Sequence, residues 1–286
     1  MSPTASGQQG RQGLPTTPDP LPLPVVDNHV HLDITREGDE RLDVADAVAR
    51  ARSVGVTRLV QVGCDLGGIA FTMEVIERYP EIVGGIALHP NEVPRLHASG
   101  GLEAAYAEVE RCATHDRIRV IGETGLDYFR TGPDGIPAQQ EGFRWHIDLA
   151  KRTRKALQIH DRDAHDDVLR ILTEEGAPER TVLHCFSGDV SMARRCVERG
   201  YYLSFAGTVT FKNARDLRDA VTAVPLDRLL VETDAPYLTP SPHRGATNAS
   251  YLVAHTVRAI AAVLNVDVPT VCRAVSENSE RVYGPW

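Results

Sequence analysis

The sequence lacks the features that mark membrane-spanning, secreted and disulfide-stapled proteins. No apolar run approaches the ~20 residues that a membrane-spanning helix needs, and the N-terminus carries no apolar segment of a secretory signal. The five cysteines are odd in number, lie far apart and form no Cys-x-x-Cys motif, which is typical of reduced thiols in a cytosolic protein. These absences predict a soluble cytoplasmic protein that needs no membrane.

Positive charge is also in deficit. The 31 Lys and Arg residues stand against 39 Asp and Glu residues, which gives a formal net charge of −8. This balance argues against a protein that is held to nucleic acid by a broad basic surface. It leaves room for an enzyme that grips one or two phosphates through metal ions and a few local cations. No feature of the sequence indicates an obligate protein partner.

The first 24 residues differ from the rest of the chain. They are rich in Gly, Pro, Ser, Thr and Gln and contain little to bury, so residues 1–24 are expected to form a disordered N-terminal extension. Residues 25–286 show no break in composition that would mark a second domain. At this length a single α/β barrel domain is routine.

Strand-length apolar runs alternate with helical patterns from residue 25 onwards. The runs predicted as strands lie at 25–30, 58–62, 82–88, 118–121, 157–159, 181–183, 201–204 and 228–231. The helical patterns lie at 42–54, 68–79, 102–115, 138–154, 164–174, 191–199, 214–224, 250–264 and 269–279. This alternation predicts βαβ units with a parallel sheet, and eight strands favour an α/β fold that closes into a (β/α)8 TIM barrel. A doubly wound open sheet is the alternative.

Residues that ligate metals recur at the ends of these predicted strands, where a barrel forms its active site. His29 and His31 end the first strand, and because residues two apart share one face of a strand, their imidazoles should project side by side. Later strand ends carry His89, Glu123, His160, His184, Glu232 and Asp234. Each alone is compatible with an ordinary hydrogen-bonded side chain, but random placement would scatter such residues over helices and loops.

The donors expected to converge are four imidazoles and two carboxylates: His29, His31, His160, His184, Glu123 and Asp234. A mixed nitrogen and oxygen set of this kind suits Zn²⁺, Mn²⁺ or Mg²⁺. Because six ligands exceed what one tetrahedral ion uses, two divalent ions bridged by a carboxylate are expected. Two-metal sites activate water and hold both sides of a displacement at phosphorus.

Other residues near the strand ends are candidates for contact with a substrate. His89 precedes Pro90 in a predicted mouth loop, where functional residues concentrate. Arg162 lies two residues after His160, and Arg244 lies in a later loop; both guanidinium groups could bind phosphate oxygens. Cys185 directly follows His184, so strand alternation predicts that its thiol packs into the barrel wall instead.

Several motifs together resemble the TatD-type metal-dependent hydrolases of the amidohydrolase-like superfamily, which are usually regarded as deoxyribonucleases. They are Asp27-x-His29-x-His31, Gly122-Glu123-Thr124-Gly125-Leu126-Asp127, His160-x-Arg162, His184-Cys185-Phe186-Ser187-Gly188 and Glu232-Thr233-Asp234-Ala235-Pro236-Tyr237. The similarity runs in the family's motif order from about residue 25 to the C-terminal helices. The combination is highly specific, whereas His-x-His alone is weak. The resemblance implies a (β/α)8 barrel, in agreement with the strand count.

Carried over residue by residue, the resemblance implies metal ligands at the six donor positions named above, with Glu123 bridging two ions. His29 and His31 would share one ion with Asp234, which leaves His160 and His184 to the second. This sequence departs from the family after Asn248, where Ala249-Ser250 replaces a common Glu-Pro pair, and residues 1–24 lie outside the family pattern. The first departure affects the detail of a loop and not the metal ligands.

The function expected from these residues is metal-dependent hydrolysis of phosphodiester bonds in DNA. Asp234 would take the proton of the attacking water, and Glu123 would act through the ions that it bridges. Arg162, Arg244 and His89 would hold the phosphate or sugar. An acidic protein surface is better suited to binding one end of a DNA strand in a pocket than to moving along double-stranded DNA. The expected activity is therefore that of a 3′–5′ exodeoxyribonuclease on single-stranded ends.

Two alternatives stay open at the level of sequence. The wider superfamily suggests a small ester, amide or lactone as substrate, or D-aminoacyl-tRNA. Metal sites of that kind often use a carboxylated Lys as the bridge, whereas the fourth predicted strand offers Glu123 and no Lys. The other alternative is a barrel that binds metal without turnover, which a missing ligand would favour; all six candidates are present.

Overall fold

Eight parallel strands follow one another around the molecule in chain order. The computed structural model describes residues 13–39 and 42–286. The strands are β1 (Val25–Val30), β2 (Val56–Gly63), β3 (Ile82–Ile86), β4 (Ile118–Asp127), β5 (Ala156–Arg162), β6 (Thr181–Leu183), β7 (Tyr202–Phe205) and β8 (Leu229–Val231). Each strand pairs with the next strand of the sequence, and every pairing is parallel.

The sheet closes where β8 meets β1. Val30 forms a parallel bridge with Ala235, and the backbone N–H of His31 donates to the carbonyl of Ala235 at 2.8 Å. The backbone N–H of Asp234 donates to the carbonyl of His29 at 3.0 Å. This closure confirms the predicted (β/α)8 TIM barrel over the doubly wound alternative, and it brings the first and last predicted metal-binding motifs side by side.

Helices cover the outside of the barrel. They are α1 (Val44–Ser53), α2 (Leu66–Arg78), α3 (Glu92–Ser99), α4 (Leu102–Ala113), α5 (Ile136–Thr153), α6 (His165–Glu175), α7 (Val190–Glu198), α8 (Arg215–Thr222), α9 (Val253–Leu264) and α10 (Val268–Tyr283). Helix α3 was not predicted, because Val93 is its only buried residue and no apolar periodicity marks it. In the described ranges no single helix is long and apolar enough to cross a membrane; α9 and α10 pass that test of length and composition only as a pair, bent by 114°.

The barrel interior is apolar towards the N-terminal ends of the strands and polar towards their C-terminal ends. Inward-facing side chains such as Val60, Val83 and Val182 form one buried cluster with Tyr283 at the end of α10. Towards the C-terminal ends of the strands, the buried residues become His29, Gln158 and other polar groups. Since buried polar groups require partners, this change of composition locates the functional end of the barrel.

The segment predicted as a disordered extension is in part packed on the barrel. Residues 1–12 lie outside the described residues. Over residues 13–24, Leu21 is buried and its N–H donates to the carbonyl of Val54 at 2.9 Å. The Tyr251 hydroxyl donates to the carbonyl of Pro15 at 2.6 Å, and Arg258 donates to that of Asp19 at 2.6 Å. The structure therefore differs from the prediction over residues 13–24, because backbone carbonyls, which composition does not reveal, anchor this stretch.

Candidate metal centre

The side chains of His29 and His31 leave the end of β1 on the same face, as the two-residue spacing predicts. Their Nε2 atoms lie 3.1 Å apart. Behind them, His29 Nδ1 lies 2.8 Å from Oε1 of Gln158, and His31 Nδ1 lies 2.8 Å from the carbonyl oxygen of Val62. A partner on Nδ1 fixes the ring and directs Nε2 forward, which is the arrangement found behind metal-binding histidines.

One oxygen from each of two carboxylates faces this pair of nitrogens. Glu123 Oε2 lies 3.5 Å from His29 Nε2 and 3.7 Å from His31 Nε2. Asp234 Oδ1 lies 3.7 Å from His29 Nε2 and 3.5 Å from His31 Nε2. Atoms bound at about 2.0–2.2 Å to a common ion lie roughly 2.8–3.6 Å apart when the angle at the ion is about 90–110°. The four atoms therefore have nearly the separations of ligands around one shared point.

A second group surrounds the other oxygen of Glu123. Its Oε1 lies 2.6 Å from His160 Nδ1 and 2.8 Å from His184 Nε2. His89 Nε2 lies 3.6 Å from the same oxygen. His89, Glu123 and His160 form a group that could hold a metal ion, and so do His29, His31 and Glu123. The structure thus brings all six predicted ligands together, with Glu123 facing His29 and His31 through one oxygen and His160 and His184 through the other. A third group that could hold a metal ion, His29, His184 and Glu232, links the two sets, so their division between two ions stays a prediction.

Two buried carboxylates that were not assigned a role orient the second set of histidines. Glu232 Oε1 accepts from the backbone N–H of Cys185 at 2.7 Å and lies 3.2 Å from His184 Nδ1. Asp127 Oδ2 lies 3.3 Å from His160 Nε2. Both carboxylates belong to the quoted motifs, so the motifs themselves were the available signal. Gln158, behind His29, lies two residues before His160 on the same strand face, which was a further signal.

A glycine in β4 allows the close approach that places His160. Strand β4 continues to Asp127, six residues past its predicted end at 121, and Gly125 pairs with His160 in register. Gly125 has φ +134°, and a Cβ atom there would lie 2.1 Å from the carbonyl oxygen of His160. Only glycine fits this position, and its lack of a side chain is why hydrophobic patterning ended the strand too early.

Electrostatics keep the carboxylates ionised despite their burial. Burial alone would raise the pKa of Glu123, but the charges of His184 and His89 and the hydrogen bond from His160 outweigh it and hold that pKa well below its usual range. The pKa of Asp234 is likewise lowered, because the hydrogen bond from His31 and the neighbouring imidazole charges outweigh burial. At His31 and His160 the effect of burial is outweighed by the hydrogen bonds with Asp234 and with Asp127 and Glu123, and the pKa rises to about 10 and about 9. At His29 burial and the charge of His184 lower the pKa. The two ionised carboxylates would attract a cation, which could take the place of the protons on these imidazoles.

Asp27 supports the centre without facing it. Its Oδ1 accepts from the backbone N–H of Thr233 at 2.8 Å and its Oδ2 accepts from the Thr233 hydroxyl at 2.7 Å. It is fully buried, and burial, only partly offset by these hydrogen bonds, raises its pKa to about 7. The two bonds fix the residue that precedes Asp234, and so they position that carboxylate.

The three residues predicted to contact substrate lie at the same end of the barrel. His89 is closer to the ligand set than expected, since its ring lies 4.7 Å from that of His160. The Arg162 guanidinium lies 3.8 Å from the ring centre of Phe129, and that of Arg244 lies 4.1 Å from the ring centre of Phe211. Neither arginine forms an ion pair with any carboxylate of residues 13–39 and 42–286, so both cations are available for an anion.

Two thiols flank the centre. Cys64, which follows β2, donates from Sγ to Glu123 Oε2 at 3.4 Å. Cys185 was expected to pack into the barrel wall, but β6 ends at Leu183 and Cys185 has φ +42°, so strand alternation no longer applies. Burial raises its pKa well above the usual thiol value, and Asp234, Glu232 and Glu123 add to the effect. Cys185 therefore lies within the field of the ligand set, and the prediction for it was wrong.

Comparison with known sequences agrees with this geometry. The sequence model of the TatD-related DNase family matches residues 26–284. An uncharacterized metal-dependent hydrolase, TatD, from Mycobacterium tuberculosis is 46% identical over 266 residues, covering 91% of this chain and 98% of the relative. The uncharacterized metal-dependent hydrolase YabD from Bacillus subtilis is 38% identical over 259 residues, covering 90% and 98%.

Solved structures give the same result for the fold. The crystal structure of YjjV, a TatD homologue from Escherichia coli, has a TM-score of 0.83 and 25% identity, covering 92% of this chain and 98% of the other. A TatD-family hydrolase from Entamoeba histolytica has a TM-score of 0.80 at 19% identity, covering 93% of this chain and 100% of the other. With its barrel, its cluster of His and Glu residues and these relatives, the chain belongs to the TatD-related DNase family of metal-dependent hydrolases.

Proposed function

We propose that the protein is a metal-dependent phosphodiesterase that removes nucleotides from the 3′ ends of single-stranded DNA. The observation that carries the proposal is Glu123, whose two oxygens face two separate sets of imidazoles. A carboxylate placed in this way is suited to bridge two ions, and two-metal sites serve displacement at phosphorus. The family description as TatD-related DNase supports the choice of DNA.

The donors present fit two divalent ions. His29, His31 and Asp234 would hold the first, His160 and His184 the second, and Glu123 both. Imidazole and carboxylate donors without thiolate are compatible with Mg²⁺, Mn²⁺ or Zn²⁺. When bound, such ions lower the pKa of water and neutralise the charge that develops on phosphate oxygens.

The remaining chemistry falls to side chains of the chain itself. Asp234 is ionised and its side chain is 15% exposed, against 6% for Glu123, so it is the carboxylate that water reaches. It would accept the proton of the attacking water. The hydrogen bonds from Thr233 to Asp27 hold Asp234 at this position while the proton is transferred.

Substrate contacts would come from the cations at the rim. Arg162 and Arg244 would each bind phosphate oxygens through the planar fork of the guanidinium, and His89 would face the phosphate or sugar beside Glu123. The net charge of −8 disfavours binding along duplex, which supports a strand end as the substrate. All five cysteines are free, which supports action in the reducing cytoplasm.

The test is an assay of purified protein with Mg²⁺ or Mn²⁺ on single-stranded DNA labelled at either end. We expect a ladder that shortens from the 3′ end and that disappears with His184→Ala. Glu179→Gln, an exposed substitution before β6, is the matched control and should keep full activity. Intact DNA with the wild-type protein, or equal activity in His184→Ala, would refute the proposal. Esters, lactones and D-aminoacyl-tRNA assayed in parallel identify the substrate in that case.

A further inference from the structure

Phe129 is an aromatic side chain that the fold leaves in water. It is 63% exposed, the largest exposure among the large hydrophobic residues of the described ranges. It lies two residues beyond Asp127, the carboxylate beside His160, and therefore at the rim of the metal centre. Aromatic side chains at a site that binds single-stranded nucleic acid are the surfaces on which bases stack.

One face of the Phe129 ring is already covered by a cation. The Arg162 guanidinium lies 3.8 Å from the ring centre, and the backbone holds the pair together, because Asp127 pairs with Arg162 and the Tyr128 N–H donates to the Arg162 carbonyl at 2.9 Å. Arg162 ends β5 two residues beyond His160, so the pair stands beside the ligand set, and the rest of the ring surface is open.

We propose that the open face of Phe129 is a stacking surface for the base next to the scissile phosphate, while Arg162 binds a phosphate of the same nucleotide. This inference rests on the proposed function and adds the group of the substrate that is recognised. A nucleotide joins a flat base to an anionic phosphate, and the Phe129–Arg162 pair sets a flat ring beside a cation. Stacking of this kind accepts every base, because each has a π-face.

A second aromatic–arginine pair supports a nucleic acid as the ligand. Arg244 lies 4.1 Å from the ring centre of Phe211. These two residues lie in the loops that follow β8 and β7, whereas Phe129 follows β4 and Arg162 ends β5. The two pairs thus belong to different sides of the barrel mouth. Each offers a ring on which a base can stack and a guanidinium that can bind a phosphate, which matches a short single strand of DNA that crosses the centre.

The experiment compares Phe129→Ala, Phe129→Leu and Phe129→Trp with the wild-type holoenzyme. Leu66→Ala is the control, because Leu66 is an aliphatic residue that is 45% exposed and follows β2 at the same end of the barrel. The substrates are single-stranded DNA and the same DNA with an abasic site at the terminal nucleotide, which has no ring to stack. Measurements of metal content and of urea unfolding identify any variant that has lost bound metal or stability.

Base stacking is worth ~1–3 kcal/mol, so KM for DNA should rise about 5- to 150-fold in Phe129→Ala. Phe129→Leu should resemble Phe129→Ala because it keeps apolar volume but no ring, whereas Phe129→Trp should restore the wild-type KM. On the abasic strand, Phe129→Ala should change KM little, because there is no base to stack. A KM on normal DNA within twofold of the wild-type value in Phe129→Ala, or an equal rise in KM on the abasic strand, would overturn the inference.

A binding measurement separates this inference from the proposed function. A phosphorothioate single strand with a terminal 2-aminopurine should lose fluorescence on binding to the wild-type protein, because stacking quenches that base. The quenching should disappear in Phe129→Ala and persist in Leu66→Ala. If the wild-type protein cleaves no DNA, the proposed function fails while this titration still decides whether Phe129 stacks on a base; the absence of quenching in the wild type refutes the stacking site.

Discussion

Glu232→Gln is the change that tests most directly how the second set of histidines is held. Glu232 is fully buried, and its Oε1 receives the backbone N–H of Cys185 at 2.7 Å and lies 3.2 Å from His184 Nδ1. Glutamine keeps the shape and an acceptor oxygen at the same place. What it removes is the negative charge behind the imidazole, which together with Glu123 raises the pKa of His184 against the effect of burial.

The magnitude follows from the role of such partners. A carboxylate behind a metal-binding histidine fixes the ring and increases its basicity, and its loss typically costs 10- to 100-fold in metal affinity, or about 1.4–2.7 kcal/mol. We expect a decrease of this size for the ion at His160 and His184. The ion at His29 and His31 should lose much less, since their Nδ1 atoms have other partners, Gln158 and the carbonyl of Val62.

Competition with a chromophoric chelator measures both affinities, and elemental analysis gives the number of ions bound. Glu179→Gln, which is exposed, is the control for loss of one negative charge. Urea unfolding of the metal-free protein shows whether Glu232→Gln acts on stability alone. The reasoning is refuted if Glu232→Gln binds metal with affinities within twofold of wild type, or if it weakens mainly the ion at His29 and His31.

Three further predictions concern stability. Gly125→Ala should destabilise the protein by about 3 kcal/mol in urea unfolding and lower metal content, because its Cβ would lie 2.1 Å from the carbonyl oxygen of His160; a wild-type midpoint would contradict this. Burial raises the pKa of Asp27 to about 7. The free energy of unfolding of the wild type should therefore fall by up to about 4 kcal/mol as the pH rises from 4 to 7, whereas that of Asp27→Asn should lack this fall. Parallel pH profiles of the two proteins would contradict the prediction. Burial lowers the pKa of His146 to about 4, so the free energy of unfolding should fall by up to about 3 kcal/mol as the pH drops from 6.5 to 4. His146→Gln should reduce this fall. The same pH dependence in His146→Gln as in the wild type would contradict the prediction.

The strands could be predicted because a barrel buries both faces of each strand, so that each appears as a short apolar run. β1 and β6 have the predicted bounds, 25–30 and 181–183. The prediction was wrong at the end of β4, where Gly122 and Gly125 interrupt the apolar pattern yet continue the ladder to Asp127. The extension is determined by close packing between neighbouring backbones, which the hydrophobic pattern of the sequence does not reveal.

The candidate ligands could be predicted because they belong to strand ends, whose position in a barrel is determined by the fold. Their supports could not, since the partners of a histidine ring are far away in sequence: Glu232 lies 48 residues from His184. The packing of residues 13–24 was missed for a similar reason. It depends on Tyr251 and Arg258, which reach the segment from more than two hundred residues away.

If two ions bind as proposed, the division of Glu123 between two sets of imidazoles makes the two ion positions thermodynamically dependent on each other. Whichever ion binds first must orient this carboxylate. An ion at His160 and His184 would replace the hydrogen bonds that Oε1 forms with those rings, whereas an ion at His29 and His31 would bind the oxygen that faces them, Oε2. The second ion then meets a side chain that is already ordered, and a shared ordering cost appears as positive cooperativity. Loading of the centre should therefore be sigmoidal in metal concentration, so that activity responds steeply to the supply of free cation.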